Sequence, residues 1–250
     1  MTVRSITEQL THRVVLRRRL PRPFRRGRFY TSSEAGLRYL KPRLDNVDPA
    51  LLRLVGQTVT PGCVVWDVGA NVGLFAFSAA IIAGEAGQVY AVEPDAWLVN
   101  LLRRSAELNH GVAPVGVVPV AVSDQVGVGR FTIARRNRST NFLDGYGTTQ
   151  TGGSRRVDLV PTVTLDWLAD HLPMPDVVKI DIEGAEVLAL SGGARVLEHR
   201  PTIICEVAGE NSERVTALLR PYGYRLYDGD APTPMHAPVD LAPPTTLAVA

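Results

Sequence analysis

At 250 residues, with 45% hydrophobic and 21% charged residues, the chain has an ordinary globular composition and can bury one large core. Disordered and fibrous classes are excluded. No apolar run approaches the ~18 to 20 residues of a membrane-spanning helix or resembles a signal peptide, so we expect a cytoplasmic protein. Cys63 and Cys205 lie in or beside apolar runs, which predicts buried thiols and no metal site.

The net charge of +2 is unevenly distributed. Residues 1–43 hold 12 Lys and Arg against two Glu, whereas residues 44–250 hold 15 basic and 23 acidic residues. We therefore expect a basic N-terminal arm, 1–43, which could include a helix and packs loosely on a main domain, 44–250. The arm could attract an acidic carrier protein or an anionic surface. A nucleic-acid-binding module is an alternative, disfavoured by the acidic main domain and 6% aromatic content.

Beyond residue 63, short β-branched runs alternate with helical patterns, which predicts an α/β fold with a mostly parallel twisted sheet and helices on both faces. The predicted strands are 64–68, 89–92, 115–122, 177–182, 202–207 and 224–227, with an edge strand at 246–249. The predicted helices begin after Gly73 and at residues 95, 183 and 212. Alternating segments at 127–134 and 156–165 around a polar loop predict a β-rich insertion that carries function.

A glycine-rich turn, Asp67-Val-Gly69-Ala70-Asn71-Val-Gly73, joins the first strand of the sheet to the first helix. Its glycines permit a tight turn and close approach of a ligand to the backbone. A dinucleotide loop of the Gly-x-Gly-x-x-Gly type would place a pyrophosphate here, but the spacing differs and the Asp67 carboxylate would repel a pyrophosphate. A nicotinamide-dependent oxidoreductase is therefore an alternative that this turn disfavours.

Glu93 ends the second strand, where a carboxylate can accept hydrogen bonds from both hydroxyls of a ribose. Together with Asp67 it predicts an adenosine-like ligand that has an uncharged linker and a cationic tail. This description fits S-adenosylmethionine.

Four stretches of the chain resemble the FkbM-type methyltransferases. They are VVWDVGANVG at 64–73, AVEPD at 91–95, VAVSD at 120–124 and VVKIDIEGAE at 177–186, the last being the most specific. The resemblance covers roughly residues 64–228 and implies a Rossmann-like class I methyltransferase fold, so we expect residues 44–250 to form a methyltransferase catalytic domain. It also implies an S-adenosylmethionine-dependent O-methyltransferase that acts on a hydroxyl of a small molecule, a natural product or a sugar.

The same resemblance assigns the site. Asp67, Gly69, Ala70, Asn71 and Gly73 would hold the methionine end of the cofactor, Glu93 and Pro94 the ribose, and Val122, Ser123 and Asp124 the adenine edge. The segment Ser139-Thr-Asn141-Phe-Leu is similar to a short motif of the family, which implies that Ser139 and Asn141 contact the substrate.

Three acids are candidates for the catalytic base. Asp181 ends a strand at the crevice and could instead hold the cofactor's ammonium, while Glu183 and Glu206 lie close to strand ends. Lys179 shares a strand face with Asp181, which predicts an ion pair, and Glu186 is expected to cap a helix. The three acids could hold Mg²⁺ through oxygen ligands, but no spacing indicates a metal.

Overall fold

Thirteen strands and seven α-helices make up the computed structural model, which describes residues 14–41, 44, 47–134, 138–143 and 153–250. In chain order the strands are β1 (Val15–Arg19), β2 (Arg28–Ser32), β3 (Val64–Val68), β4 (Gln88–Val92), β5 (Val115–Val118), β6 (Ala121–Val122), β7 (Gly127–Ala134), β8 (Phe142–Leu143), β9 (Ser154–Val163), β10 (Val177–Ile180), β11 (Thr202–Glu206), β12 (Arg225–Asp228) and β13 (Thr245–Val249). The helices are α1 (Pro49–Thr58), α2 (Leu74–Ala83), α3 (Ala96–Ala106), α4 (Leu165–His171), α5 (Glu186–Ser191), α6 (Ala194–His199) and α7 (Ser212–Leu219).

The large sheet has the strand order β12-β13-β11-β10-β3-β4-β5. Neighbouring strands from β11 to β5 are parallel, whereas β13 is antiparallel to both β11 and β12. From β3 the chain proceeds to β4 and β5 on one side, and from β10 it proceeds to β11 on the other. The strand order therefore reverses between β3 and β10, which is where doubly wound sheets bind ligands at their carboxyl ends.

Alternate strand residues enter two separate apolar cores, one on each face of the sheet. Val65 and Val177 pack with α1, α2 and α3, while Trp66 and Val178 pack with α4 to α7. This arrangement follows from the period of two along a strand, because both faces of a parallel sheet are covered. The predicted α/β sheet with helices on both faces is confirmed.

A second, four-stranded sheet with the order β6-β9-β7-β8 forms the β-rich insertion that the sequence predicts. The strand predicted at 115–122 is wrong as a single element. It divides after Val118, where β5 leaves the large sheet, and Ala121 and Val122 pair in parallel with Thr162 and Val163 of β9. The residues predicted to meet adenine therefore lie where the two sheets separate.

The helix predicted from residue 183 to 197 is also divided, into α5 and α6. Gly192 and Gly193 separate them, and a Cβ built on Gly192 would lie 2.7 Å from the carbonyl oxygen of Ser123. The chain approaches the Ser123 segment too closely there for a side chain.

The strand predicted at the sheet edge near the C-terminus is an interior strand. Leu247 of β13 pairs with Ile204 of β11 on one side and with Tyr227 of β12 on the other. Leu247 and Ala248 are fully buried, and β12 takes the edge position instead.

Residues 14–41 do not pack loosely, so that expectation is wrong for the described part of the arm. Strands β1 and β2 form an antiparallel hairpin, and Leu20, Phe24 and Phe29 are buried in the same core as α1, α2 and α3. Within 14–41 the only helices are short 3₁₀ turns at Ser33–Ala35 and Leu37–Leu40. Burying each large apolar side chain contributes about 1.5–3 kcal/mol, which explains why a basic segment is held on the domain.

Cys63 and Cys205 are free and buried, as predicted. Among the residues that the structure describes, no helix has both the length and the apolar character needed to span a bilayer.

Candidate active site

A cavity of about 230 Å³ opens at the carboxyl ends of β3, β4 and β10, at the reversal of the strand order. Its lining includes the predicted residues Asp67, Gly69, Ala70, Asn71, Glu93, Pro94, Val122, Asn141, Asp181, Glu183 and Glu206. The structure therefore brings most of the predicted site together. Pairing of β10 with β3 is enough to bring Lys179 beside Asp67, although more than one hundred residues separate them in the chain.

The glycine-rich turn forms one side of the cavity. Gly69 has φ +80°, and a Cβ placed on it would lie 1.9 Å from the carbonyl oxygen of Asp181. Gly73 has φ +86° at the start of α2, where a Cβ would lie 2.4 Å from the Phe77 ring. A left-handed backbone and lack of space together require glycine at both positions. Gly73 thus shapes the turn from behind the cavity wall.

Asp67 is fully buried at the base of this turn. Its Oδ2 accepts a hydrogen bond from the Ala76 amide at 3.1 Å, and its Oδ1 lies 3.2 Å from Lys179 Nζ. Burial raises the pKa of Asp67, and Lys179 opposes that rise. Among the described residues, Asn71 Oδ1 is a buried oxygen without a hydrogen-bond partner, whereas Asp67 Oδ1 has the Lys179 ammonium beside it. Such an unsatisfied buried acceptor is rare, and Asn71 belongs to the cavity lining.

Lys179 contacts two acids, Asp67 on the adjacent strand β3 and Asp181 just beyond the end of its own strand β10. The residue pairs with Asp67 across β10 and β3, and its Nζ donates to the Gly69 carbonyl at 2.9 Å. The same nitrogen lies 3.2 Å from Asp181 Oδ2. Burial lowers the pKa of Lys179, but the charges of Asp181 and Asp67 outweigh it and raise that pKa above its ordinary value. The predicted ion pair is confirmed, and it involves both acids.

Glu93 is held by backbone amides on either side of it. Its Oε2 accepts from Asn71 N and its Oε1 from Asp95 N, each at 2.9 Å. Burial raises the pKa of Glu93 to about 8. Each carboxylate oxygen has a further lone pair, so two hydroxyl donors can still be accepted.

The predicted adenine segment has one residue on the cavity. Val122 lines it, whereas Ser123 is held by its amide to the Val163 carbonyl at 2.8 Å and by its hydroxyl to Asp124 Oδ1 at 3.2 Å. The adenine contacts of Ser123 and Asp124 stay predictions.

The candidate bases gather on the opposite side of the cavity from Glu93. The pKa of Glu206 is raised to about 7, first by the charge of Asp181 and then by burial. Burial and the charge of Asp181 raise the pKa of Glu183 to about 8, and the Glu183 backbone adopts φ +50°. Glu186 accepts from Gly184 N at 2.7 Å and from Asn211 Nδ2 at 3.2 Å, so it fixes the turn before α5. The expected capping role is wrong, because Ala185 is the N-cap and no side chain caps α5.

Four further residues that the sequence did not indicate line the outer wall of the cavity: Arg38, Tyr39, Asp48 and Arg138. The first three precede the predicted strands, and Arg138 lies in the insertion. Ion pairs between distant segments leave no periodic signal, and the arginine-rich context of Arg38 hides it among exposed arginines.

Arg138 is buried between two carboxylates. Its Nε donates to Glu34 Oε2 at 2.7 Å and its Nη1 to Asp95 Oδ2, so it connects the N-terminal segment to the loop after β4. Asn141 Nδ2 donates to the same Asp95 oxygen at 2.9 Å, and Asn141 Oδ1 accepts from the Ala134 amide at 2.8 Å. We call Glu34, Arg138, Asp95 and Asn141 the buried network.

The substrate contacts of Ser139 and Asn141 in the insertion stay predictions. Asn141 lines the cavity, but its amide is already engaged in the buried network. The side chain of Ser139 and the flanking loop 144–152 lie outside the described residues. In the described segments, no group of three or more His, Cys, Asp or Glu side chains is arranged to hold a metal ion.

Comparisons with known proteins agree with this geometry. The model of the methyltransferase FkbM domain matches residues 67–226. The hexuronic acid methyltransferase AglP of Haloferax volcanii is 28% identical over 172 residues, which cover 68% of this chain and 66% of that protein.

Two solved structures are similar to the chain at low identity. Precorrin-6y C5,15-methyltransferase from Geobacter metallireducens has a TM-score of 0.46 and 13% identity, over 88% of this chain and 93% of its own. A SAM-dependent methyltransferase from Aquifex aeolicus has a TM-score of 0.42 and 12% identity, over 80% and 89%.

The family match includes the glycine-rich turn, the Glu93 loop and the Lys179–Asp181 pair, and it spans more than half of the sequence. The mainly parallel sheet with helices on both faces is the Rossmann-like architecture that the resemblance implied. The chain therefore belongs to the FkbM methyltransferase family.

Proposed function

We propose that this methyltransferase transfers a methyl group from S-adenosylmethionine to a hydroxyl oxygen of a small molecule, a sugar or a natural product. The observation that carries the acceptor proposal is the group formed by Asp181, Glu183 and Glu206 at the cavity rim, with pKa values near neutrality for two of them. A hydroxyl acceptor has a proton to lose, and these carboxylates can receive it.

The cavity fits the cofactor through its acceptor oxygens. Asn71 Oδ1 has no hydrogen-bond partner, and together with the Asp67 carboxylate it would accept from the ammonium of the cofactor's methionine end, while Glu93 would accept from the ribose hydroxyls. When bound, S-adenosylmethionine supplies a methyl carbon attached to a positively charged sulfur. The acidic lining of the cavity favours that cation over an anionic dinucleotide.

Positioning of the acceptor is expected to provide most of the acceleration. Well-oriented groups reach effective molarities of ~10⁵ M or more. Side chains that hold the acceptor oxygen near the methyl carbon can therefore supply much of the rate acceleration. Asp181 is suited to this, because its amide bonds to the Val68 carbonyl at 3.0 Å and its carboxylate is anchored by Lys179.

Asp181 and Glu206 are proposed to act together on the acceptor's proton. The pKa of Glu206 is raised chiefly by the charge of Asp181, so removing the charge of Asp181 lowers the proton affinity of Glu206. A carboxylate whose pKa lies near 7 is half deprotonated at neutral pH and can receive a proton from the hydroxyl oxygen during attack.

The relative from Haloferax volcanii, a hexuronic acid methyltransferase, supports a sugar acceptor. A hexuronic acid carries both hydroxyl groups and a carboxylate, and methylation of these groups gives different products. A methyl ether survives alkali, whereas a methyl ester is hydrolysed.

The test combines cofactor binding with identification of the product. Calorimetry with S-adenosylhomocysteine is expected to show loss of binding in Asp67→Ala and a weakening of about 1.5–3 kcal/mol in Glu93→Ala. NAD is expected to give no thermal shift. Wild-type cofactor affinity in both variants would place the cofactor elsewhere.

Methyl transfer to a panel of sugars is then followed with labelled cofactor. Asp181→Asn is expected to slow single-turnover transfer ~10² to 10⁴-fold with a small change in cofactor affinity, and Glu183→Gln and Glu206→Gln are compared with it. Asp176→Asn is the matched control, because Asp176 accepts from Val64 N at the opposite end of the same strands. An alkali-labile product, or an unchanged rate in Asp181→Asn, would contradict a hydroxyl acceptor that uses this base.

A further inference from the structure

Three cationic side chains line the cavity within the described part of the chain: Arg38, Arg138 and Lys179. Lys179 is buried between Asp67 and Asp181, and Arg138 is buried in the network with Glu34. Both charges are therefore neutralised by carboxylates of the protein itself.

Arg38 differs from the other two cations in exposure and in its contacts. Its side chain is 44% exposed, and its Nη1 lies 3.9 Å from Asp48 Oδ2, at the outer limit for an ion pair. The guanidinium carbon lies 5.3 Å from the centre of the Tyr39 ring, and that ring is buried edge-on against Phe29 at 5.9 Å. Arg38 thus lines the cavity on a rigid aromatic support. Its guanidinium has five N–H donors, more than the Tyr39 side chain and one distant carboxylate can use.

We propose that Arg38 binds a carboxylate group of the acceptor, and that the acceptor is an acidic sugar or another small molecule carrying a carboxylate. This inference rests on the proposed function and specifies its substrate class. A guanidinium matches a carboxylate in a two-point geometry, which gives orientation as well as affinity.

The charges of the cavity explain how Arg38 would orient such an acceptor. The remaining exposed charges on its wall are carboxylates, including Asp48, Asp181 and Glu206, which repel an anion everywhere except beside Arg38. Burial lowers the pKa of Arg38, but Tyr39, Asp48 and Asp181 raise it by more, so the guanidinium remains charged and Asp181 lies within electrostatic range. An acidic sugar held by Arg38 would present its other groups to Asp181.

Arg38 lies outside residues 67–226, the part of the chain that matches the family. It is carried by the 3₁₀ turn Leu37–Leu40, which follows the β1–β2 hairpin. The N-terminal segment would therefore supply acceptor specificity to a cofactor site that the family domain provides.

A carboxylate could reach Arg38 from two molecules, the acceptor or the methionine part of the cofactor. The experiment separates them by titrating D-glucuronate and D-galacturonate, and their methyl esters, into protein saturated with S-adenosylhomocysteine. Wild-type protein is expected to bind at least one of the acids about 10- to 150-fold more tightly than its ester, the range for hydrogen bonds to a charged group. Arg38→Gln should lose that factor, Arg38→Lys should recover part of it, and the affinity for S-adenosylhomocysteine should be unchanged.

Arg156→Gln is the control, because Arg156 is an exposed arginine that pairs with Asp158 on β9. Equal binding of acids and esters by the wild type, or no binding of either acid, would overturn the proposal. A loss of S-adenosylhomocysteine affinity in Arg38→Gln would assign the residue to the cofactor's carboxylate instead. If S-adenosylhomocysteine fails to bind the wild type at all, the proposed function fails, and the two failures are thereby distinguished.

Discussion

The two walls of the cavity are built by different means. On the inner wall, Asp67, Lys179 and Asp181 are placed by strand register and by hydrogen bonds to the backbone. On the outer wall, Arg138 and Glu34 are placed by side-chain ion pairs between segments that are 104 residues apart. The inner wall therefore depends on the sheet, whereas the outer wall depends on buried charge contacts and on the N-terminal hairpin.

Deletion of residues 1–28 tests whether the outer wall needs the hairpin, and it is expected to have the largest effect. The deletion removes β1 together with the buried Leu20 and Phe24, whose burial alone contributes about 3–6 kcal/mol. Urea unfolding should show a loss of this size or larger. Replacing Arg17 and Arg19, exposed on β1, by Ser is the control and should change the free energy of unfolding by about 0.5 kcal/mol or less. A truncated protein with wild-type stability would show that the hairpin is dispensable.

Arg138→Leu tests the buried network itself. Removing Arg138 leaves Asp95 buried without a cation and leaves Glu34 with Arg155 as its remaining partner, and breaking such a buried pair typically costs about 3–5 kcal/mol. The matched variant Arg156→Leu removes a surface pair and should cost about 1 kcal/mol or less. Equal losses in the two variants would mean that the outer wall does not depend on the network.

The pH dependence of stability gives a smaller effect, on the rim between the walls. The pKa of Glu183 is about 8 in the folded protein, above its ordinary value of 4.5, so the folded state binds this proton more tightly than the unfolded state. The stability that this group contributes is present below about pH 4.5 and is lost as the pH rises through 8. Glu183→Gln should therefore lose less stability than the wild type between pH 5 and 8.5.

Glu198→Gln, an exposed glutamate on α6, is the control for that measurement and should follow the wild type. Parallel stability profiles for wild type and Glu183→Gln would remove Glu183 from the group of acids that interact at the rim.

The sequence predicts the inner wall well because its signals are local. The turn from Asp67 to Gly73 lies between an apolar strand and an apolar helix, and the position of Glu93 follows from the end of the next strand. Because parallel strands end at the same edge of the sheet, these residues are expected to lie close together once the strands have been identified. The strand boundaries are correct to within one or two residues for most of the large sheet.

The outer wall could not be predicted in the same way. Arg138 is held at the cavity by partners far away in the chain, and Arg38 by Tyr39 and Asp48 nearby. The sequence around either arginine shows no pattern that separates it from exposed arginines. The basic composition of residues 1–43 suggested a loosely packed arm, but the three apolar residues Leu20, Phe24 and Phe29 decide how it packs. The charge of a segment describes its exposed side chains, whereas a few buried apolar side chains determine whether it packs on the domain.

The position of β13 imposes an order on folding. Residues 225–228 leave the ribosome before residues 245–249, yet β12 reaches the sheet only through β13. The four strands β10, β3, β4 and β5 can pair with one another as soon as residue 180 has emerged. The edge strand β12 can join the sheet only after β13, residues 245–249, has emerged. Because pairing between distant segments is slow, we expect β12 and β13 to join the sheet last and together.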